Sequence, residues 1–186
     1  MKSIFLLLFP AILIAAGCED DTPASKPGIV HIHLDDVKVR YNQPVPLDVD
    51  DNGDSEFVFN ATLIADAIGD HLRFTIISRY DNAVIGDNGN VEVLSFDEPI
   101  NPGSTFGTDN EVLVIKTTTN DGTSWWGNWK DVQNAFIGIR FTINGSVRYG
   151  WIKVSVSEPN EQLVIHEMAY IKRNTPDGIL AGDHGE

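Results

Sequence analysis

The sequence predicts an all-β fold, a single domain built as an antiparallel β-sandwich with a jelly-roll-like arrangement. Two observations favour this class. Short runs rich in β-branched and aromatic residues recur from Gly28 onward, and clusters of Asp, Asn, Gly and Pro, such as residues 87–90 and 101–104, separate them. Short strands bounded by turn residues at this spacing are typical of sandwiches, whereas alternating strands and helices would indicate a parallel sheet.

Eight runs are predicted to be strands: residues 30–34, 57–59, 72–78, 91–96, 112–116, 136–143, 147–156 and 163–170. Asn144-Gly145 lies between two of them and predicts a hairpin, because a type I′ turn needs positive φ at both central residues. Pairing outward from this turn sets Ile139 opposite Gly150, which gives the hairpin one apolar core face. The other face is amphipathic, so we expect another segment to cover part of it. On that face, Arg140 is predicted to lie opposite Tyr149, a pairing that allows the guanidinium to contact the ring.

The N-terminal residues predict export. Lys2 is followed by an apolar run over residues 4–16, which is shorter than the roughly 20 residues of a membrane-spanning helix. Ala15-Ala16-Gly17 then precedes Cys18, the one cysteine of the sequence. This segment resembles the lipobox of bacterial lipoproteins, although Ala15 stands where that family usually has a larger apolar residue. The resemblance implies that Cys18 is acylated and becomes the mature N-terminus. The alternative is an ordinary signal peptide followed by a coincidental cysteine.

The predicted organisation is therefore a lipoprotein signal peptide over residues 1–17, an acylated cysteine with a flexible tether over residues 18–28, and the β-domain over residues 29–186. The formal net charge of −14 disfavours nucleic acid as a partner and also disfavours electrostatic docking on anionic lipid. We expect the lipid on Cys18 to hold the protein in the bacterial outer membrane, facing either the periplasm or the cell exterior.

An acidic segment, residues 48–56, carries the clearest metal signal. If Asp48 is position one, oxygen-bearing residues fall at alternate positions with Gly53 at six, as in the first half of an EF-hand loop. The expected Ca²⁺ ligands are Asp48, Asp50, Asn52 and Glu56 through side chains and Asp54 mainly through its carbonyl oxygen. A strand follows instead of a helix, so the prediction is a half-loop that enters a β-strand. A solvated acidic turn is the alternative.

The C-terminal third resembles a group of exported bacterial proteins, most of them without a known activity. The residues that carry the resemblance are Tyr149-Gly150-Trp151-Ile152-Lys153-Val154, then Ala169-Tyr170, and finally Ile179 to Gly182. The resemblance implies a secreted β-sandwich and brings no activity with it. The acidic half-loop that enters a strand is also similar to one found in that group.

Three tryptophans, Trp125, Trp126 and Trp129, follow a polar run and are expected to lie in a loop. They either stack on the sugar rings of a glycan or cap an open end of the sandwich. His31 and His33 could supply two ligands to a metal ion, but no partner is evident in the sequence, so we interpret them as polar residues on an exposed strand face.

No nucleophile or zinc signature is present, and we expect a protein that is not an enzyme. The leading hypothesis is a calcium-stabilised, membrane-anchored domain with a structural role or an extracellular binding role, in contact with a glycan or another envelope protein. A carbohydrate-binding lipoprotein that uses residues 125–129 is the second hypothesis. A secreted hydrolase is the third.

Overall fold

The computed structural model describes residues 28–173 and 175–185. Within these residues every regular element is a β-strand, which confirms the predicted all-β class. The strands are β1 (Ile29–Val39), β2 (Val45–Leu47), β3 (Phe57–Ala65), β4 (Asp70–Ser78), β5 (Ala83–Asp87), β6 (Asn90–Val91), β7 (Pro99–Ile100), β8 (Phe106–Gly107), β9 (Asn110–Thr119), β10 (Gly122–Trp126), β11 (Ala135–Ile143), β12 (Ser146–Ser157), β13 (Gln162–Ile171) and β14 (Ile179–Leu180). No helix in this part of the chain is long and apolar enough to cross a membrane.

Most of these strands belong to one continuous sheet. Its order is β1-β13-β12-β11-β5-β6-β9-β4-β3-β2, with β8 beside β5 and β10 beside β9, while β7 and β14 form a separate pair. Pairing between named strands is antiparallel except where Asn90 of β6 lies parallel to Val112 of β9. The sheet is therefore mixed. It folds back on itself so far that β1 contacts β3 near the other end of the strand order.

The main hydrophobic core lies between the two halves of this folded sheet. Phe57 and Phe59 of β3 and Phe74 of β4 enter it from one half, and Ile152 and Val154 of β12 enter it from the other, all without solvent exposure. Alternate residues of β3 point inward because successive side chains of a strand lie on opposite faces. Full burial of a side chain of this size contributes about 1.5–3 kcal/mol, so this core is the principal source of stability.

A second, smaller cluster covers the outer face of the half formed by β11, β12 and β13. Trp151 and Phe136 lie at its centre, and Ile100 and Ile179 reach it from the β7–β14 pair. The indole Nε1 of Trp151 donates a hydrogen bond to the carbonyl oxygen of Asp183 at 3.2 Å, which holds the segment after β14 against the sheet. The expectation that another segment covers the second face of the hairpin is confirmed.

The β11–β12 hairpin has the predicted register, with Ile139 opposite Gly150. Asn144 and Gly145 have φ angles of 50° and 73°, as a type I′ turn requires. Arg140 lies opposite Tyr149 as predicted, but its guanidinium contacts a different ring. The guanidinium carbon of Arg140 lies 4.9 Å from the ring centre of Phe106, because β8 supplies a nearer aromatic ring on this face.

Two further strand predictions differ from the structure. Of the predicted strand over residues 91–96, only the first residue belongs to a strand, β6, and Leu94 makes a single bridge to Phe136. Between Asn90 and Leu94 the chain passes from a partner in β9 to a partner in β11. This segment therefore pairs with neither strand along its whole length. Trp125 and Trp126 lie in strand β10, which forms a hairpin with β9, and not in a loop.

Candidate functional site

The acidic loop, residues 48–56, connects β2 to β3. These strands pair with Leu47 opposite Phe57, and the backbone N–H of Glu56 donates to the carbonyl oxygen of Leu47 at 3.0 Å. The first and last residues of the loop therefore lie side by side. Gly53 has φ of +94°, and a Cβ built there would meet no atom within 4 Å. Glycine is thus required by the backbone conformation and not by lack of space.

Side-chain oxygens fix the shape of this loop. Asp48 accepts backbone hydrogen bonds from Asn52 at 3.2 Å and from Gly53 at 2.7 Å. Asn52 Oδ1 accepts from the N–H of Asp54 at 2.7 Å, an Asx turn at the tip of the loop. At the base of the loop, Glu56 Oε2 accepts from the buried N–H of Val49 at 2.7 Å. The loop is therefore built around its own acidic and amide side chains.

Three carboxylates converge inside this frame. Asp48, Asp50 and Glu56 each place a carboxylate oxygen within 4.8 Å of the other two. Glu56 is only 4% exposed, and Oδ1 of Asp50 is buried and accepts no hydrogen bond from the residues that the structure describes. Among those residues, the ion pairs that lysines form all involve other acids, and arginines form none. The negative charge of this site is therefore not compensated by a nearby basic side chain in an ion pair.

The electrostatics of the loop reflect this accumulation of charge. Burial raises the pKa of Glu56, the Val49 N–H bond opposes that rise, and the charges of Asp50 and Asp48 add to it. Tyr170, which lies in the main core, also has a raised pKa, first because of burial and then because of the charge of Asp50. A cation bound among the carboxylates would lower the pKa values of both Glu56 and Tyr170, because a nearby positive charge favours the ionised forms of these groups.

These donors have the chemistry that Ca²⁺ prefers, since calcium takes 6–8 oxygen ligands from carboxylates, carbonyls, amides and water. The structure brings together Asp48, Asp50 and Glu56 of the five predicted ligands. Asn52 and Asp54 are exposed at the tip of the loop and are linked to each other by the Asx turn. The residues present therefore fit a calcium ion whose coordination is completed by carbonyl oxygens or water.

The three tryptophans do not form one exposed surface. Trp129 is fully buried in the main core, where no ligand can reach it. Trp125 is partly buried and stacks on Phe74 with ring centres 6.0 Å apart. Trp126 is 50% exposed. Burial therefore excludes Trp129 from contact with a ligand and partly covers Trp125, and Trp126 is the most exposed of the three side chains.

A chain of polar groups borders Trp126. Its Nε1 donates to Thr117 Oγ1 at 3.0 Å, and the same oxygen lies 3.0 Å from His71 Nδ1. His71 Nε2 is in turn 3.2 Å from a carboxylate oxygen of Asp66. Hydrogen bonds from the Ile68 backbone and from His71 lower the pKa of the Asp66 carboxyl, which favours its ionised form. Trp126 thus combines an exposed ring with a polar border.

A cluster of imidazoles and a carboxylate, which the sequence did not reveal, lies on the outer face of β1 and β13. His31 and His33 meet Glu167, with His31 Nε2 2.9 Å from Glu167 Oε2. The sequence offered the two histidines without a partner, because no local pattern marks Glu167. Only the pairing of β1 with β13, which sets His33 opposite Glu167, joins them.

Beside this cluster, three side chains are linked in the order of a Ser-His-Asp triad. Ser155 Oγ lies 2.8 Å from His166 Nε2, and His166 Nδ1 lies 2.6 Å from Asp36 Oδ1. Ser155 is only 5% exposed, however, and its Oγ already accepts the N–H of Asn134 at 2.9 Å. The Asp36 side chain is 69% exposed, whereas the acid of a catalytic triad is buried. This chain of hydrogen bonds therefore links β12, β13 and the bulge in β1.

Cys18, the predicted lipidation site, lies outside the described residues. Comparisons of the chain with protein-family models, with curated proteins and with solved structures found no match.

Proposed function

We propose that this protein is an exported lipoprotein, anchored through Cys18 in the bacterial outer membrane, whose β-domain binds Ca²⁺ at residues 48–56. Its role is non-catalytic, either in the structure of the envelope or in binding an extracellular partner. The main support for the proposal is the convergence of Asp48, Asp50 and Glu56, together with a buried Asp50 oxygen that has no hydrogen-bond partner among the described residues.

The physical argument for calcium rests on the cost of this arrangement without a cation. Three carboxylates within 4.8 Å of one another repel, and burial of Glu56 adds the cost of removing its charge from water. A divalent ion attracts all three carboxylates, and this attraction offsets both costs. Because the loop spans β2 and β3, the bound ion stabilises the entry into β3 and the core residues that this strand carries.

Titration calorimetry with CaCl₂ tests this part of the proposal. We expect the purified chain to bind one Ca²⁺ in the loop, and we expect Asp50→Asn to weaken that binding by at least about 10-fold, since it removes the charge of one ligand. Asp121→Asn, at an exposed position in the β9–β10 turn, is the matched control and should bind as the wild type does. Equal affinity of the Asp50→Asn variant and the wild type would contradict the assignment.

The anchor is supported by Cys18, which directly follows a short apolar run, and by a net charge of −14 that makes electrostatic attachment to anionic lipid unfavourable. Labelling of cells with a palmitate analogue tests it. The wild type should carry the label and sediment with membranes, and Cys18→Ser should lose the label. A variant that remains membrane-bound without label would show that another feature holds the protein there.

Carbohydrate binding remains the second candidate, now confined to Trp126 and its polar border. Half of this side chain is exposed, and a free indole face is the group that stacks on sugar rings. Pull-down with insoluble peptidoglycan, chitin and cellulose tests the idea. Trp126→Ala should abolish retention on the polymer that binds, while Tyr80→Ala, another exposed aromatic, should not. Retention that survives Trp126→Ala would remove this candidate.

We also propose that the folded sheet forms a jelly-roll-like β-sandwich that is antiparallel apart from the β6–β9 pair. Its support is the main core, which β3 and β4 share from one side with β11, β12 and β13 from the other. The parallel pairing of β6 with β9 involves one residue pair and lies between the two halves.

A further inference from the structure

The outer face of β1 and β13 holds two imidazoles and one carboxylate in a compact group. His31 Nε2 is 2.9 Å and His33 Nδ1 is 3.7 Å from the same oxygen, Glu167 Oε2. All three ligand atoms lie within 4.8 Å of one another. We propose that these residues form a second metal site, separate from the acidic loop, that takes a late first-row divalent ion such as Zn²⁺.

The distances suit an ion of this class. With metal–ligand bonds of about 2.0–2.1 Å, two ligands of a tetrahedral zinc ion are separated by about 3.3 Å. The observed separations of 2.9 and 3.7 Å lie on either side of that value. Two of the three donor pairs are therefore already near the separation that one zinc ion requires, and the third pair, formed by the two imidazoles, lies within 4.8 Å.

The surroundings hold the ligands in place. Lys153 Nζ donates to Glu167 Oε1 at 3.0 Å, which leaves Oε2 directed at the imidazoles. The ring of His31 packs against Trp151 and His184, with ring centres 5.9 and 4.3 Å away. Such supporting contacts are typical of metal sites.

The donor set also determines which metal the site selects. Imidazole nitrogen favours Zn²⁺, Cu²⁺ and Ni²⁺, whereas Ca²⁺ requires oxygen ligands. Three protein ligands leave a tetrahedral ion with one position for water or an external ligand, as in zinc sites that are open to substrate. Because β1 is the terminal strand of the sheet and pairs with β13, the ion also joins an edge strand to its neighbour.

Titration calorimetry with ZnCl₂, in the presence of excess CaCl₂ to occupy the acidic loop, tests the site on the full chain. We expect one Zn²⁺ per chain. His33→Ala should weaken binding by at least about 10-fold, the loss that even a supporting residue of a metal site can cause. The side chain of His33 is 74% exposed, so this variant should fold as the wild type does. Glu167→Gln should weaken binding in the same direction.

Two controls distinguish this site from others on the chain. His71→Gln removes a histidine outside the cluster, and Asp50→Asn removes a ligand of the calcium loop; both should bind Zn²⁺ with wild-type affinity. In NMR spectra of the wild type, Zn²⁺ should shift the ring signals of His31 and His33 and leave those of His71 unchanged. The proposal is overturned if no saturable Zn²⁺ binding occurs, if His33→Ala binds as the wild type does, or if Asp50→Asn is the variant that loses the ion.

Discussion

Replacement of Glu56 by glutamine is expected to change the stability of the domain in opposite directions with and without calcium. In chelator, Glu56 is a buried carboxylate with two other carboxylates within 4.8 Å. Two such charges repel by about 1 kcal/mol per pair in the dielectric of water and by more in a less polar medium. Glutamine removes both repulsions and keeps an oxygen that can accept the Val49 N–H. We expect Glu56→Gln to raise the free energy of unfolding by about 1–2 kcal/mol, and Tm by about 2–8 °C.

With calcium the order reverses. An ion present at 100 times its Kd stabilises the folded state by about 2.7 kcal/mol, and the variant loses most of this contribution together with its ligand. The wild type should then be the more stable protein by about 1 kcal/mol. Thermal unfolding followed by circular dichroism at neutral pH, in chelator and in excess CaCl₂, measures all four values. A lower Tm for Glu56→Gln in chelator, or an equal calcium response in both proteins, would refute the reasoning.

Glu111 supplies the matched control. It is 4% exposed, and burial followed by the charges of Asp109 and Asp87 raises its pKa, as burial and neighbouring acids do for Glu56. It does not belong to the calcium loop, so Glu111→Gln should raise Tm equally with and without calcium. A calcium-dependent effect at Glu111 would mean that the ion acts through the overall charge of the protein.

Four other outcomes follow from burial, backbone conformation and charge. Trp129→Ala should cost about 3–5 kcal/mol in urea unfolding because the side chain has no exposure, while Trp126→Ala should cost about 1 kcal/mol, the loss of one hydrogen bond at a half-exposed position. Gly145→Ala should cost about 1–2 kcal/mol by the same measurement, because φ is +73° there. The lowered pKa of Glu167 contributes stability that is present above the ordinary carboxyl pKa and is lost as pH falls through the lowered value. Melting curves in metal chelator should therefore place Glu167→Gln below the wild type at neutral pH, and the difference should shrink as pH falls below the ordinary carboxyl pKa.

The parts of this molecule that the sequence predicted well are those fixed by local chemistry. Asn144-Gly145 determines its own turn, and the alternation on either side then determines the register of the hairpin. The acidic loop is similar, because β2 and β3 close it within one hairpin and spacing along the chain translates directly into proximity. Asp48, Asp50 and Glu56 could therefore be expected to converge before the fold was known.

The parts that escaped prediction depend on pairing between distant segments. Glu167 joins His31 and His33 only because β13 lies beside β1, and nothing near Glu167 in the sequence indicates that neighbour. The tryptophans could not be distinguished from the sequence either. Trp126 is 50% exposed and Trp129 is fully buried, although they are three residues apart. The sequence shows aromatic residues at this point, but the packing of β10 and of the turn that follows it against β9 decides which of them is buried.

A crystal structure of the protein grown with CaCl₂ tests the central claim most directly. We expect one spherical peak in the acidic loop with oxygens of Asp48, Asp50 and Glu56 at about 2.3–2.6 Å, the distance range of calcium ligands. A water molecule at hydrogen-bonding distances of about 2.7–3.2 Å from the same oxygens, with no ion, would contradict the proposed calcium site.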